Sequence, residues 1–190
     1  MITSPRIYHF LACEGHTEYI IFSYLTRNRF RDRFSRANTN VEFSDKANVI
    51  VNADESISGG KLNGVKSLKH FNIKYAALKT AYPTQTFFFF LDEDLNDSAA
   101  IKKVILQGGD FVQFVTYNSE YLLLERSGNN PQHPTAFGTL QDFRNYCKAT
   151  FLTTFGKEAS RINDQDLDTI LTNSTDAEIE AIFGDLFALI

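Results

Sequence analysis

Residues 86–94 read TFFFFLDED, four consecutive phenylalanines and a leucine running into three acids. A strand with water on one face alternates apolar and polar side chains. A short stretch that is apolar on both sides instead fits a central strand covered by helices above and below, as in a parallel sheet. Upstream, Val65, Leu68, Tyr75 and Leu78, with Lys66, Lys69, Lys74 and Lys79 between them, suit an amphipathic helix stopped by Pro83. Downstream, DSAAIKKVILQGG (97–109) has the same grammar, with Asp97 or Ser98 as N-cap and Gly108 or Gly109 as terminator. DFVQFVTYN (110–118) then reads as a strand and SEYLLLER (119–126) opens another helix.

Toward the N-terminus the alternation continues. Residues 6–13 read as a short buried strand, Gly15 as a turn and Thr17 as the N-cap of a helix over EYIIFSYLTRNRF (18–30). NVIVNAD (48–54) reads as a second β-branched strand and ESISGGKLNG (55–64) as a loop. That loop is not a P-loop: Glu55 stands where the first glycine belongs, and Leu62 where Ser or Thr would hold magnesium. Strands alternating with helices predict an α/β domain over residues 1–126, a largely parallel, Rossmann-like sheet of four strands with helices on both faces. Residues 127–190 change texture. A Pro/Gly/Asn-rich connector (127–138) leads to the helical segments TLQDFRNYCKATFL and STDAEIEAIFGDLFALI. In the second, Thr175 and Glu178 form a capping box, and Ile179, Ile182, Phe183, Leu186, Phe187 and Ile190 make one apolar stripe. This predicts a C-terminal helical extension docked on the sheet domain, on a protein partner or on a second copy in a homodimer.

At 190 residues and 43% hydrophobic, the chain has the apolar content for one ordinary core. Cys13 and Cys147 have neither disulfide-framework nor zinc-ligand spacing. The N-terminal MITSPRIYHFLACEG is too short in apolar residues for a membrane span and poorly shaped for a signal peptide, so the expectation is a soluble, cytoplasmic protein without a membrane partner. The net charge of −4 hides an asymmetry: the seven acids after Arg161 have no basic neighbours in sequence, and the preceding part carries 19 bases against 16 acids. Within that basic part, RNRFRDRFSR (27–36) holds Arg27, Arg29, Arg31 and Arg33, the pattern of a phosphate-contacting surface or of arginine stems lying over Phe30 and Phe34. Lys61, Lys66 and Lys69 are further candidates for a nucleic-acid backbone.

In a parallel α/β sheet, ligands collect at the carboxyl ends of the strands. Glu14 follows the first strand directly, and Asp92 and Asp94 follow the phenylalanine strand, two apart and so pointing the same way. Glu93 points away from them, and Asp97 is placed to cap the next helix. If the two strands are neighbours, three carboxylates converge, and crowded carboxylates need protons or a cation. Hard oxygen donors of this kind suit Mg²⁺ or Mn²⁺.

CEGHTE after an apolar strand, FFFFLDED ending in DxD, and TYNSEYLLL one strand later together resemble a Toprim domain over roughly residues 6–126. The likeness is to the RloB- and OLD-type Toprim nucleases of prokaryotic anti-phage systems. That resemblance implies a Toprim-like fold and metal-dependent hydrolysis of phosphodiester bonds in DNA or RNA, tRNA included. It assigns Glu14, Asp92 and Asp94 as metal ligands, with Glu14 also moving protons. It assigns Glu18 as the second glutamate of an EGxTE motif at the mouth of the site, and Glu120 as a second-metal or outer ligand. The chain departs from the RloB pattern around that last acid, which sits in Asn118-Ser119-Glu120-Tyr121 without a flanking proline or tryptophan. Neither Lys148 nor Lys157 matches the family's later lysine. Two alternatives stand beside the nuclease: a glycosyltransferase, whose metal-bound nucleotide sugar also sits on a DxD but which leaves Glu14 and Glu18 unexplained, and a partner-gated, non-catalytic binding subunit.

Overall fold

The computed structural model describes residues 7–36, 39–42, 67–93 and 97–190. Three parallel strands form the middle of the molecule: β1 (Ile7–Cys13), β3 (Thr86–Asp92) and β4 (Phe111–Val115), with β3 between the other two. A short β2 (Thr39–Glu42) pairs in parallel along the outer side of β1, so the order is β2-β1-β3-β4. The strand beside β1 is TNVE; the NVIVNAD segment expected as a second strand, the loop with Lys61, and Lys66 lie outside the described residues.

The phenylalanine run works as its composition demands. Phe88 and Phe90 join Leu11, Cys13 and Val115 on one face of the sheet, and Phe87, Phe89 and Leu91 join Ala12 and Val112 on the other. The second face is covered by α3 (Leu68–Ala81) and α4 (Ser98–Gln107) through Phe71, Leu78, Ile101 and Ile105. α3 starts at Leu68, three residues later than Val65, behind the N-cap Ser67, whose side chain accepts the His70 amide. Asp97 holds the N-cap position of α4, but its carboxylate instead accepts the Leu68 amide at 2.7 Å, capping the neighbouring helix. The register at the start of β3 and β4 is pinned by Asp110. This buried carboxylate accepts from Tyr75 Oη (2.6 Å), Lys79 Nζ (3.1 Å) and the Phe87 amide (2.9 Å).

The first face is covered by α1 (His16–Tyr24), a π-helical turn over Leu25–Arg29, α2 (Arg31–Arg36) and α5 (Ser119–Arg126), and by much of the C-terminal region. After α6 (Leu140–Phe155) the chain forms α7 (Asp164–Ile170), which sequence patterning did not single out, then α8 (Asp176–Ile182) and α9 (Gly184–Phe187). The extension shares one core with the sheet: Phe183 lies 5.8 Å from Phe90 between ring centres, and Ile179, Phe183 and Leu186 are buried. The expected single C-terminal helix breaks at Phe183. Gln113 of β4 supports the break, its amide donating to the Ile182 carbonyl (3.2 Å) and accepting the Leu186 amide (3.2 Å). Past the break the stripe shifts: Leu189 is buried and Ile190 is exposed.

The charge asymmetry closes within the chain. Arg29 pairs with Asp176 (2.9 Å) and donates to the carbonyls of Leu171 and Ser174. Arg33 pairs with Glu180 and lies over the rings of Phe30 and Phe187, Lys102 pairs with Asp185, and Lys157 grips Asp166. Arg29 and Arg33, expected on a phosphate-contacting surface, are therefore the counter-charges of the acidic tail. No helix among the described residues is long and apolar enough to cross a membrane, and both cysteines are buried and outside any disulfide.

Candidate functional site

Because β1 and β3 are parallel neighbours, in register from His9↔Thr86 to Cys13↔Phe90, their carboxyl ends lie side by side. The pairing continues one residue further, with the Glu14 amide donating to the Phe90 carbonyl at 3.1 Å. Glu14 then turns back so that its Oε2 accepts the Asp92 amide at 3.2 Å. The two acids that sequence places at separate strand ends thus occupy one rim. Asp94 lies outside the described residues, and Glu93 is exposed, as its alternation predicts.

The third component comes from β4. Its chain turns into α5 through Tyr117, held at φ 61°, a left-handed backbone that a bulky side chain rarely adopts. The ring is clasped edge-on by Tyr121, Phe143 and His133, and its hydroxyl lies 2.7 Å from His133 Nε2. The turn leaves Asn118 as N-cap, its Oδ1 accepting the Tyr121 amide, and aims the first residue of α5 at β3. The Ser119 amide donates to Asp92 Oδ1 at 3.0 Å, and Ser119 Oγ lies 3.2 Å from the same oxygen. An amide at a helix start is a favourable partner for an anion. Asn118 Nδ2, beside it in sequence, is buried with no hydrogen-bond partner among the described residues.

Glu18 sits beneath this rim rather than at its mouth. It is 5% exposed, and its Oε1 lies 2.7 Å from Ser119 Oγ. Thr17 is not the N-cap; Gly15 is, and Glu18 at the third helical position accepts the Gly15 amide, half of a capping box. Gly15 serves close approach here, since a Cβ on it would stand 2.7 Å from Glu18 Oε2. Burial pushes the Glu18 carboxyl above its ordinary range, and the charge of Glu120 adds to this, against hydrogen bonds from Ser119 and the backbone that act the other way. The same burial raises the adjacent Cys13 thiol, assisted by Glu18. Ser119 has one hydroxyl proton and two carboxylate neighbours. Both contacts are hydrogen bonds at once only when a carboxyl carries a proton, and buried Glu18 is the group so disposed. Ser119 thereby links Glu18 to Asp92, a connection that sequence reasoning missed; only its place immediately before Glu120 signalled it.

Glu120 lies in the first turn of α5, half-buried, and acts on Glu18 through its charge. Arg27 and Arg31 are exposed along the arginine-rich stretch, and Lys69 is exposed in the first turn of α3. Among the described residues no group of three or more His, Cys, Asp or Glu side chains is arranged to hold an ion. Among the described residues the donor set on the rim is two hard-oxygen side chains, Glu14 and Asp92. Two carboxylates suit Mg²⁺ or Mn²⁺, which bind through one or two carboxylates and keep water or substrate oxygens for the rest.

Fold and rim together define an α/β protein with a parallel sheet and an acidic centre at the ends of adjacent strands. No family model, curated protein or solved structure matches the chain.

Proposed function

We propose that this centre serves divalent-cation-dependent hydrolysis of phosphodiester bonds in DNA or RNA, on a Toprim-like domain. The observation that supports it most is the meeting of Glu14 and Asp92 at the ends of adjacent parallel strands, with Glu18 buried behind them. Glu14 and Asp92 would hold the ion, with Asp94 as the further ligand that the DxD spacing offers. When bound, Mg²⁺ or Mn²⁺ would supply Lewis-acid activation of water and of the departing oxygen. The chain's own contribution is positional. Ser119 fixes the Asp92 carboxylate through its amide and hydroxyl, and Glu18 stands one hydrogen bond further back, its carboxyl held above its ordinary range by burial. Arg27, Arg31 and Lys69, exposed to solvent, are the described basic residues offered to a phosphate backbone. The sequence likeness to anti-phage effectors supports a role in defence.

The test is incubation of the purified protein with labelled plasmid, single-stranded DNA and tRNA, each with Mg²⁺, Mn²⁺ or chelator. Metal-dependent cutting lost in Asp92→Asn is expected. Cutting that survives chelation, or full activity in that variant, would overturn the assignment.

A further inference from the structure

The outer side of α1 carries a second feature that the acidic centre does not use. His16, Tyr19, Ile20 and Ser23 recur at helical spacing on the side opposite Glu18, Ile21, Phe22 and Leu25, which face the core. This outer stripe forms one wall of a cleft of about 510 Å³; the facing wall is Ile162, Asn163, Asp164 and Gln165, the turn into α7. At one end the exposed His16 ring stacks on Tyr19, with centroids 5.9 Å apart and planes 16° from parallel. His16 is two residues from Glu14, so this end opens beside the strand-end rim.

The chemistry of the walls narrows the occupant. Among the described residues the cleft lining contains no Lys or Arg, and it includes the carboxylate of Asp164, which is unfavourable for a phosphate. It offers a flat aromatic pair, apolar contact from Ile20 and Ile162, and amide, hydroxyl and carboxylate groups that accept as well as donate hydrogen bonds. A planar heterocycle with a mixed polar edge fits that description, and every nucleobase presents a π-face to an aromatic ring. In a duplex those faces are covered by neighbouring bases, so only an unpaired one can reach His16.

We propose that this cleft is a subsite for an unpaired nucleobase of a single-stranded nucleic acid. This rests on the hydrolase reading only for where the backbone runs, past Glu14 and Asp92. The base contact needs no metal.

The experiment is fluorescence anisotropy with a fluorescein-labelled 12-nucleotide mixed-sequence single-stranded DNA, and with the same sequence as a blunt duplex, at low salt in EDTA. The single strand should bind more tightly than the duplex. His16→Ala, at an exposed position where folding is not at stake, and Tyr19→Leu, which keeps apolar volume, should each weaken it by roughly 5- to 100-fold, the range for a lost base–aromatic stack. Tyr19→Phe should retain binding. Equal affinity of wild type, His16→Ala and Tyr19→Leu for the single strand would overturn the subsite, as would duplex binding as tight as single-strand binding or absence of single-strand binding. Single-strand binding without cutting in Mg²⁺ or Mn²⁺ would instead leave the subsite and defeat the hydrolase reading. Cutting that is unaffected by the two substitutions would do the reverse.

Discussion

Glu18→Gln should stabilise the protein in the absence of divalent cations, and by an amount that grows with pH. Gln is isosteric: its oxygen can accept the Gly15 amide while its NH₂ donates to Ser119 Oγ, as a protonated carboxyl would, so the substitution removes a charge without removing the cap. The Glu18 and Asp92 oxygens lie 2.7 and 3.2 Å from the same Ser119 Oγ, so they are at most about 6 Å apart. Two like charges at that distance repel by about 1–3 kcal/mol for effective dielectric constants between 80 and 20. The folded-state carboxyl of Glu18 titrates above its ordinary value of 4.5. Below that value the residue is protonated folded or unfolded and costs nothing. As pH rises toward the folded value, the unfolded chain releases its proton first and stability falls; above the folded value the loss is complete. The variant lacks this loss. Urea unfolding of both proteins in EDTA from pH 5 to 8.5 should therefore show the gap in favour of Glu18→Gln widening to about 1–3 kcal/mol. A gap that stays constant with pH, or a variant less stable than wild type at pH 8, would refute the buried like-charge arrangement.

The rim itself is tested by thermal unfolding with and without Mn²⁺. At tenfold over its dissociation constant the ion should contribute about 1.4 kcal/mol, or about 3–5 °C for a chain of this size, and Asp92→Asn should abolish the shift. Asp110→Ala should lower unfolding free energy by about 2–4 kcal/mol, because it orphans the buried Phe87 amide together with the Tyr75 hydroxyl; a double-mutant cycle with Tyr75→Phe should show coupling, and strict additivity would contradict the shared contact. Gln113→Leu should cost about 1–3 kcal/mol by removing the side-chain donor to the Ile182 carbonyl and leaving the Leu186 amide only its Phe183 carbonyl, and hydrogen exchange should localise the loss to residues 176–190. Arg29→Lys should fail to rescue Arg29→Ala in chemical unfolding, since a lysine cannot reach Asp176 and the two carbonyls together as the guanidinium fork does.

The middle of the fold was legible because its signal is local and redundant. Five consecutive large apolar residues leave a strand one plausible environment, and the structure sorts Phe88 and Phe90 from Phe87, Phe89 and Leu91 as a two-sided strand must. The C-terminal region was only half legible. Its capping box at Thr175 and Glu178 forms as composition indicates, since both partners lie within one turn. The break at Phe183 depends on Gln113, about seventy residues away, and no helical periodicity carries that information. The arginine-rich stretch misleads for the same reason: RNRFRDRFSR looks like an uncompensated basic face until Asp176 and Glu180 are folded onto it.

The site divides along the same line. Glu14 and Asp92 could be nominated because each ends a recognisable strand, and a parallel sheet gives all strand ends one address. Ser119 could not, because its role comes from the left-handed turn at Tyr117, and nothing about Tyr advertises a positive φ. That turn brings the amide start of α5 onto Asp92 while a single hydroxyl stands between two acids. With Glu18 protonated, the hydroxyl satisfies both neighbours. With Glu18 ionised, the same geometry concentrates negative charge on the rim. The burial that makes Glu18 costly to ionise is therefore coupled through Ser119 to the electrostatics of Asp92, and a residue expected at the mouth of the site stands behind Glu14 and Asp92 instead.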